Sequence, residues 1–349
     1  MQWVIALALA AAALVIIVIL LMRRRAPRAS PAASPSAPRT SPSPRASRSL
    51  PAGAVAEDGD DLTRLGRLPE LSPDDEGDIV EVEQPELDVD EESNDHTGPR
   101  ALILLTAIAR TDAGLVRKEN EDSILALPEE NLYAVADGMG GYAGGALGSQ
   151  IAIDVLERAF REHDFPGLRR ITRYRRANEL VRAIQLANDA VRKVAADNAQ
   201  FAEMGTTICA ARFSPGKRRV YIAHVGDSRV YRIRDAKLEQ LTTDHTLAIE
   251  AGVKGHMGAQ LSRAVGAHAR VRPDVHVADA FPEDHYLLCS DGLTKMLSDE
   301  KILRAVVGAD NVHEAAKALL SLANEAGGRD NVSVVLIRVD DASIIPGRR

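Results

Sequence analysis

Five short turns constrain this chain more than any other feature. Each sets an acid beside small residues at the end of an apolar, strand-like run: "NED" at 120–122, "ADGMGG" at 136–141, "VGDSR" at 225–229, "CSDGL" at 289–293 and "GGRDNVS" at 327–333. Singly, Asp-Gly and Asp-Asn are ordinary turn dipeptides, because Asp hydrogen-bonds its local backbone and Gly tolerates positive φ. Five of them, each next to an apolar strand, are harder to explain as turns alone. Buried carboxylates repel one another and resist desolvation unless a cation compensates them. A cluster of oxygen ligands without Cys or His favours a hard cation, Mg²⁺ or Mn²⁺.

The runs that carry these turns define the folded part, which begins near residue 100. "LILLTAIART", "SILALP", "LYAVAD", "TTICAARFS", "RRVYIAHVGDSRVYRIR", "VHVADA", "HYLLCSD" and "NVSVVLIRV" are short, apolar and punctuated by turn residues, as strands are. Helical periodicity appears over 144–162, 176–199, 299–307 and 312–326. Strand pairs meet through tight loops instead of alternating regularly with helices. The pattern therefore predicts an α+β domain of antiparallel sheets with helices packed outside them.

The first hundred residues are of another kind. Residues 4–22 form an uninterrupted apolar run of nineteen residues, close to the roughly 20 needed to cross a bilayer, and are read as one transmembrane helix within an anchor over 1–25. A cleaved secretory signal is the competing reading, but no basic side chain precedes the run and it exceeds the usual h-region. Residues 26–99 read as a disordered linker, first basic and Pro/Ser-rich, then acidic, with too little apolar surface to offset chain entropy. Residues 1–56 carry seven arginines and no acid, and 57–95 carry seventeen acids against two arginines. The formal charge of −7 thus belongs to the linker. The folded part is nearly neutral, and no basic excess points to nucleic acid. The acidic block lacks the carboxylate spacing of an EF-hand. The folded part is bounded at 100–341, with a tail over 342–349.

Cys209 and Cys289 sit inside strand-like runs and read as small buried hydrophobes. Neither has a CxxC or Cys/His neighbourhood that would suggest zinc or thiolate chemistry.

The loop "YAVADGMGGYAGGALGSQIA", 133–152, admits two readings. Gly138, Gly140 and Ala143 fit G-x-G-x-x-A between a strand and a helix, and Glu157 follows about twenty residues on, as a dinucleotide site would ask. Against this, Asp137 would face a pyrophosphate with its negative charge, and successive βαβ units are lacking.

Taken in order, "TDAGLVRKENEDSI", "DGMGG", "MGTT", "GDSRVY", "DH", "LSRAVG", "SDGL" and "RDNVS" resemble the metal-dependent serine/threonine protein phosphatases of type 2C, in a bacterial-like form, over about residues 100–340. The resemblance implies two stacked antiparallel β-sheets flanked by helices on both outer faces, and a two-metal centre of Mg²⁺ or Mn²⁺ at one end. It implies that Asp137 bridges the two ions with the carbonyl of Gly138 as a further ligand, that Asp291 and Asp330 are the other metal acids, and that Asp227 serves a third, weaker ion. Arg117 matches the phosphate-binding arginine. Glu121 and Asp122 match acids that hold metal-bound waters, and Gly140 and Gly141 serve the turn into the helix.

The implied reaction is hydrolysis of phosphoserine and phosphothreonine in proteins by a metal-activated water. Two departures stand out. Met139 occupies the place where many eukaryotic relatives carry a histidine proposed as general acid, and residues 246–260 look short for a substrate-side flap. His245, after Asp244, reads as a structural hydrogen-bonding residue. An inactive phosphoprotein-binding module is the alternative within the same resemblance. Arg23, Arg24, Arg25 and Arg28 follow the apolar run, so the positive-inside tendency sets the C-terminal domain in the cytoplasm. There its expected partners are phosphorylated proteins, among them a membrane-associated serine/threonine kinase, with the lipid bilayer contacted through the N-terminal helix.

Overall fold

The computed structural model describes residues 102–141, 143–168 and 175–342. The apolar run 4–22, the linker over 26–99 and most of the tail lie outside these residues. Among the described residues no helix is long and apolar enough to cross a membrane.

In chain order the elements are β1 (Ile103–Asp112), β2 (Asp122–Leu127), β3 (Leu132–Met139), α1 (Ala143–Arg161), α2 (Arg175–Asp197), β4 (Gly205–Thr206), β5 (Ile208–Ser214), β6 (Arg219–Val225), β7 (Arg229–Arg234), β8 (Lys237–Gln240), α3 (Leu247–Ala251), β9 (Asp274–Asp279), β10 (His285–Cys289), α4 (Asp291–Thr294), α5 (Asp299–Val307), α6 (Val312–Glu325) and β11 (Val332–Asp341). One sheet has the order β1-β11-β10-β7-β8, and the other β2-β3-β5-β6-β9 with β4 added beside β3. Every strand pair is antiparallel. A dinucleotide-binding βαβ unit is therefore absent around the 133–152 loop, because β3 runs antiparallel to all three of its neighbours.

Side chains on a strand point alternately to its two faces, and here both faces of the inner strands are covered. Tyr133, Val135, Cys209, Phe213, Ile222, Tyr286, Leu288, Val335 and Ile337 come from both sheets and form the layer between them. Phe213 meets Tyr286 edge-on at 5.2 Å and Tyr133 at 6.1 Å, the T-shaped geometry that aromatic quadrupoles favour. The alternate residues Leu132, Ala134, Ile208 and Ala210 face outward onto Leu156, Phe160, Leu180 and Ile184 of α1 and α2. On the other sheet Tyr231, Ile233, Leu287 and Leu336 pack on Ile302 and Leu319 of α5 and α6. This double coverage explains why the strands read as near-continuous apolar runs. Both cysteines are free and buried.

A buried ion pair ties α2 to its sheet. Arg212 on β5 pairs with Glu179 of α2, stacks its guanidinium 4.7 Å from the Phe160 ring centre, and lies 3.4 Å from Glu130.

Candidate metal centre

The antiparallel registers bring the acidic turns to one end of the sandwich. The first residue of β2, Asp122, stands opposite Asp137 near the end of β3. The last residue of β10, Cys289, stands opposite Arg229 at the start of β7 and Val334 near the start of β11. The turns that follow β3, β6 and β10 and precede β2 and β11 must therefore converge. They line one cavity of about 570 Å³, walled by Arg117, Glu121, Asp137, Gly138, Asp227, Asp291 and Asp330 together with Met139, Lys295 and Asn331. Asp122 does not line it. That side chain is buried behind the wall, where its Oδ2 accepts a 2.8 Å hydrogen bond from Ser290 Oγ.

Local bonding fixes each acid. The Asp137 backbone N–H donates to Thr207 Oγ1 at 3.0 Å, and its carbonyl accepts from Thr206 Oγ1 and from the Thr207 N–H. Gly138 donates its N–H to the Glu121 carbonyl at 3.1 Å, and a Cβ there would lie 2.0 Å from the Gly145 carbonyl oxygen. Only glycine permits that approach of β3 to the start of α1. Gly140, at φ 126°, makes the turn between them. Asn331, next to Asp330, donates from Nδ2 to the carbonyls of Ala113 and Glu119 and accepts the Glu121 N–H on Oδ1, each at 2.9 Å. These three bonds pin the 113–121 loop that presents Arg117. The Arg117 guanidinium lies 2.9 Å from Asp330 Oδ1 and 3.8 Å from Glu121 Oε2.

The electrostatics of the cluster are unfavourable without a cation. Burial, and then the charges of Asp122, Asp291, Asp227 and Asp330, push the Asp137 carboxyl well above its ordinary range. Burial raises Asp122 to about 6 although the Ser333 and Ser290 hydroxyls oppose it. Burial and then Asp291 raise Asp227 to about 6. Asp291 and Glu121 are also raised by burial, against the opposing charges of Lys295 and Arg117 respectively. Asp291 Oδ1 and Glu121 Oε1 are buried with no hydrogen-bond partner. Mutually repelling carboxylates with orphaned oxygens, and no Cys or His on the cavity wall, fit a hard divalent cation.

His245 lies beside this centre in a structural role. It is buried, its Nδ1 accepts the Gly226 N–H at 3.1 Å, and its Nε2 lies 3.1 Å from Asp274 Oδ2. The ring stacks on His224 with centroids 4.5 Å apart and planes 29° apart. Ring nitrogens of both histidines are engaged in hydrogen bonds, His224 Nε2 lying 2.9 Å from the Thr243 carbonyl oxygen and His245 Nδ1 accepting the Gly226 N–H. The bond to Gly226 steadies the turn that carries Asp227. Asp244 forms a two-pronged pair with Arg229, at 2.9 and 2.7 Å.

Lys295 has no place in the sequence reading. It follows Asp291 by four residues in "DGLTK", the spacing that puts two side chains on one helical face, and its Nζ pairs with Asp291 Oδ2. Asn331 was visible only as part of "RDN", and its three backbone bonds could not be read from that motif.

Two antiparallel sheets between helices, with an acid-walled centre at one end suited to divalent cations, define a class of metal-centred sandwich. The chain belongs to the protein phosphatase 2C family, whose model matches residues 116–327. The serine/threonine protein phosphatase PstP of Mycobacterium tuberculosis is 38% identical over 252 residues, covering 69% of this chain and 46% of PstP, so the chain spans about half the length of that relative. The serine/threonine phosphatase stp of Listeria monocytogenes is 33% identical over 248 residues, covering 66% of this chain and 94% of the relative. Among solved structures, the catalytic domain of PstP in complex with two manganese ions matches with a TM-score of 0.59 at 37% identity, covering 68% of this chain and all of that domain.

Proposed function

We propose that this protein is a metal-dependent phosphatase of phosphoserine and phosphothreonine in proteins, using Mg²⁺ or Mn²⁺. The observation that carries the reading is the burial of Asp137 among Asp122, Asp227, Asp291 and Asp330, which raises its carboxyl well above the ordinary range. Asp137, the Gly138 carbonyl, Asp291 and Asp330 would hold two ions and Asp227 a third. Bound there, the ions supply an acidified water and neutralise charge developing on the phosphoryl group.

The remaining steps fall to the chain's own side chains. Arg117, held by Asp330 and Glu121, presents a planar fork to two phosphoryl oxygens. Glu121, with an unpartnered buried oxygen on the cavity wall, orients water. Met139 has no proton to give, so the proton for the leaving serine or threonine oxygen would have to come from another source, a water held at the metal centre being the simplest. The presence of Arg117 together with Asp137, Asp227, Asp291 and Asp330 on one cavity wall favours catalysis over an inactive phosphoprotein-binding module. Hydrolysis of a phosphothreonine peptide by the full-length protein, lost with chelator and restored by Mn²⁺, tests the reading.

The same proposal includes a membrane tether. The apolar run 4–22 and the arginines that follow it support a single-pass anchor with the phosphatase domain in the cytoplasm. Read as a flexible coil, a linker of the length of 26–99 would reach about 50 Å and would concentrate the enzyme around membrane-attached phosphoproteins such as a serine/threonine kinase. Protease accessibility of the C-terminus in intact cells checks the orientation. Protection is expected, and cleavage from outside would contradict it.

A further inference from the structure

The cavity wall carries a second cation besides Arg117. Lys295 follows α4 directly, and its Nζ pairs with Asp291 Oδ2 while lying 3.6 Å from Asp330 Oδ2. The other oxygen of Asp330 meets the Arg117 guanidinium at 2.9 Å. The two cations thus flank one carboxylate, one on each of its oxygens. Asp291 divides its oxygens in a way that matters for this arrangement. Oδ2 takes Lys295, whereas Oδ1 stays buried and unpartnered, free for the metal centre. Holding Lys295 therefore leaves one Asp291 oxygen without a hydrogen-bond partner.

Lys295 also has capacity to spare. An ammonium carries three donors. Asp291 engages one, and Asp330 at 3.6 Å lies beyond ordinary hydrogen-bond length. The side chain is 54% exposed and lines the cavity, and its four-carbon stem lets the head group adjust. A phosphate monoester presents three non-bridging oxygens, of which a guanidinium fork addresses two. It must also approach a wall bearing Glu121, Asp137, Asp227, Asp291 and Asp330.

We propose that Lys295 is a substrate-binding residue that donates to the phosphoryl oxygen left uncovered by Arg117. The assignment rests on the phosphatase reading above and adds a residue to it. It implies that the substrate class is the dianionic phosphate monoester, and that Lys295 acts on binding more than on turnover.

The test uses the full-length protein with Lys295→Met and Lys295→Arg, keeping chain length and restoring charge respectively. Three quantities are read: KM and kcat on a phosphothreonine peptide, calorimetric binding of inorganic phosphate to the Mn²⁺-loaded protein, and calorimetric binding of Mn²⁺ alone. Expected for Lys295→Met are a KM raised about tenfold or more, since a bond to a charged group is lost, phosphate binding weakened in parallel, kcat within about threefold of wild type, and unchanged Mn²⁺ stoichiometry. Lys295→Arg should recover most of the loss. Unchanged KM and phosphate binding in Lys295→Met would overturn the assignment, and so would a change confined to Mn²⁺ affinity, which would make Lys295 a counterion of Asp291 only. Wild-type protein lacking Mn²⁺-dependent turnover would instead overturn the phosphatase reading and the assignment with it.

Discussion

Asn331 Oδ1 accepts the backbone N–H of Glu121 at 2.9 Å across 210 residues of sequence. With its two donated bonds to Ala113 and Glu119, this side chain holds the loop that presents Arg117 to the cavity. Asn331→Ala should therefore lower kcat/KM about 10- to 100-fold through misplacement of Arg117 and Glu121, with the fold retained. Steady-state kinetics beside circular dichroism checks this. Wild-type kcat/KM in a folded variant would show that the loop holds its place without Asn331.

Asp227 gives a pH dependence whose sign follows from its environment. Burial, and then Asp291, raise its carboxyl to about 6 from 3.8. Between those values the folded chain keeps a proton that the unfolded chain has released, so stability from this group falls as pH rises through the window and the penalty is complete above about pH 6. In chelator, Asp227→Asn should stabilise the protein at pH 7.5 by on the order of 2 kcal/mol, with roughly half of the gain left at pH 5. Thermal midpoints at the two pH values decide it, and an equal gain at both would contradict the assigned cause.

Away from the centre, the buried Arg212–Glu179 pair should matter for folding more than for chemistry. Glu179→Ala leaves a buried guanidinium without its main partner, a change that costs about 3–5 kcal/mol. Adding Arg212→Met removes the stranded charge and should recover most of that loss. Chemical denaturation of the single and double variants measures both, and a double variant no more stable than Glu179→Ala would argue against a charge-burial cause.

Much of the fold was legible because its inner strands are covered on both sides. The runs around Tyr133, Ile208, Leu287 and Val334 are apolar enough to stand out, and α1, α2, α5 and α6 begin and end within about two residues of the periodicity that announces them. The short strand β8, Lys237–Gln240, is polar and largely exposed, and it exists through its pairing with β7, which no local pattern encodes. The turns were legible as acids at strand ends, yet their convergence depends on registers such as Asp122 opposite Asp137. Asp122 also illustrates the limit of motif reading. Beside Glu121 in sequence, it opens β2 and sits behind the cavity wall on Ser290, whereas Glu121 lies in the loop ahead of that strand and lines the cavity. Lys295 escaped notice because its pairing spans a helical turn at the edge of "SDGL", outside any motif quoted there.

The most direct measurement is Mn²⁺-dependent hydrolysis of a phosphothreonine peptide by full-length protein and by its Asp137→Asn variant, each with folding verified. The account predicts turnover that chelator abolishes and Mn²⁺ restores in the wild type, and a loss of several orders of magnitude in the variant, because Asp137 lies at the middle of the acid cluster. Turnover near the wild-type rate in a folded Asp137→Asn protein, or wild-type hydrolysis indifferent to chelator, would contradict it.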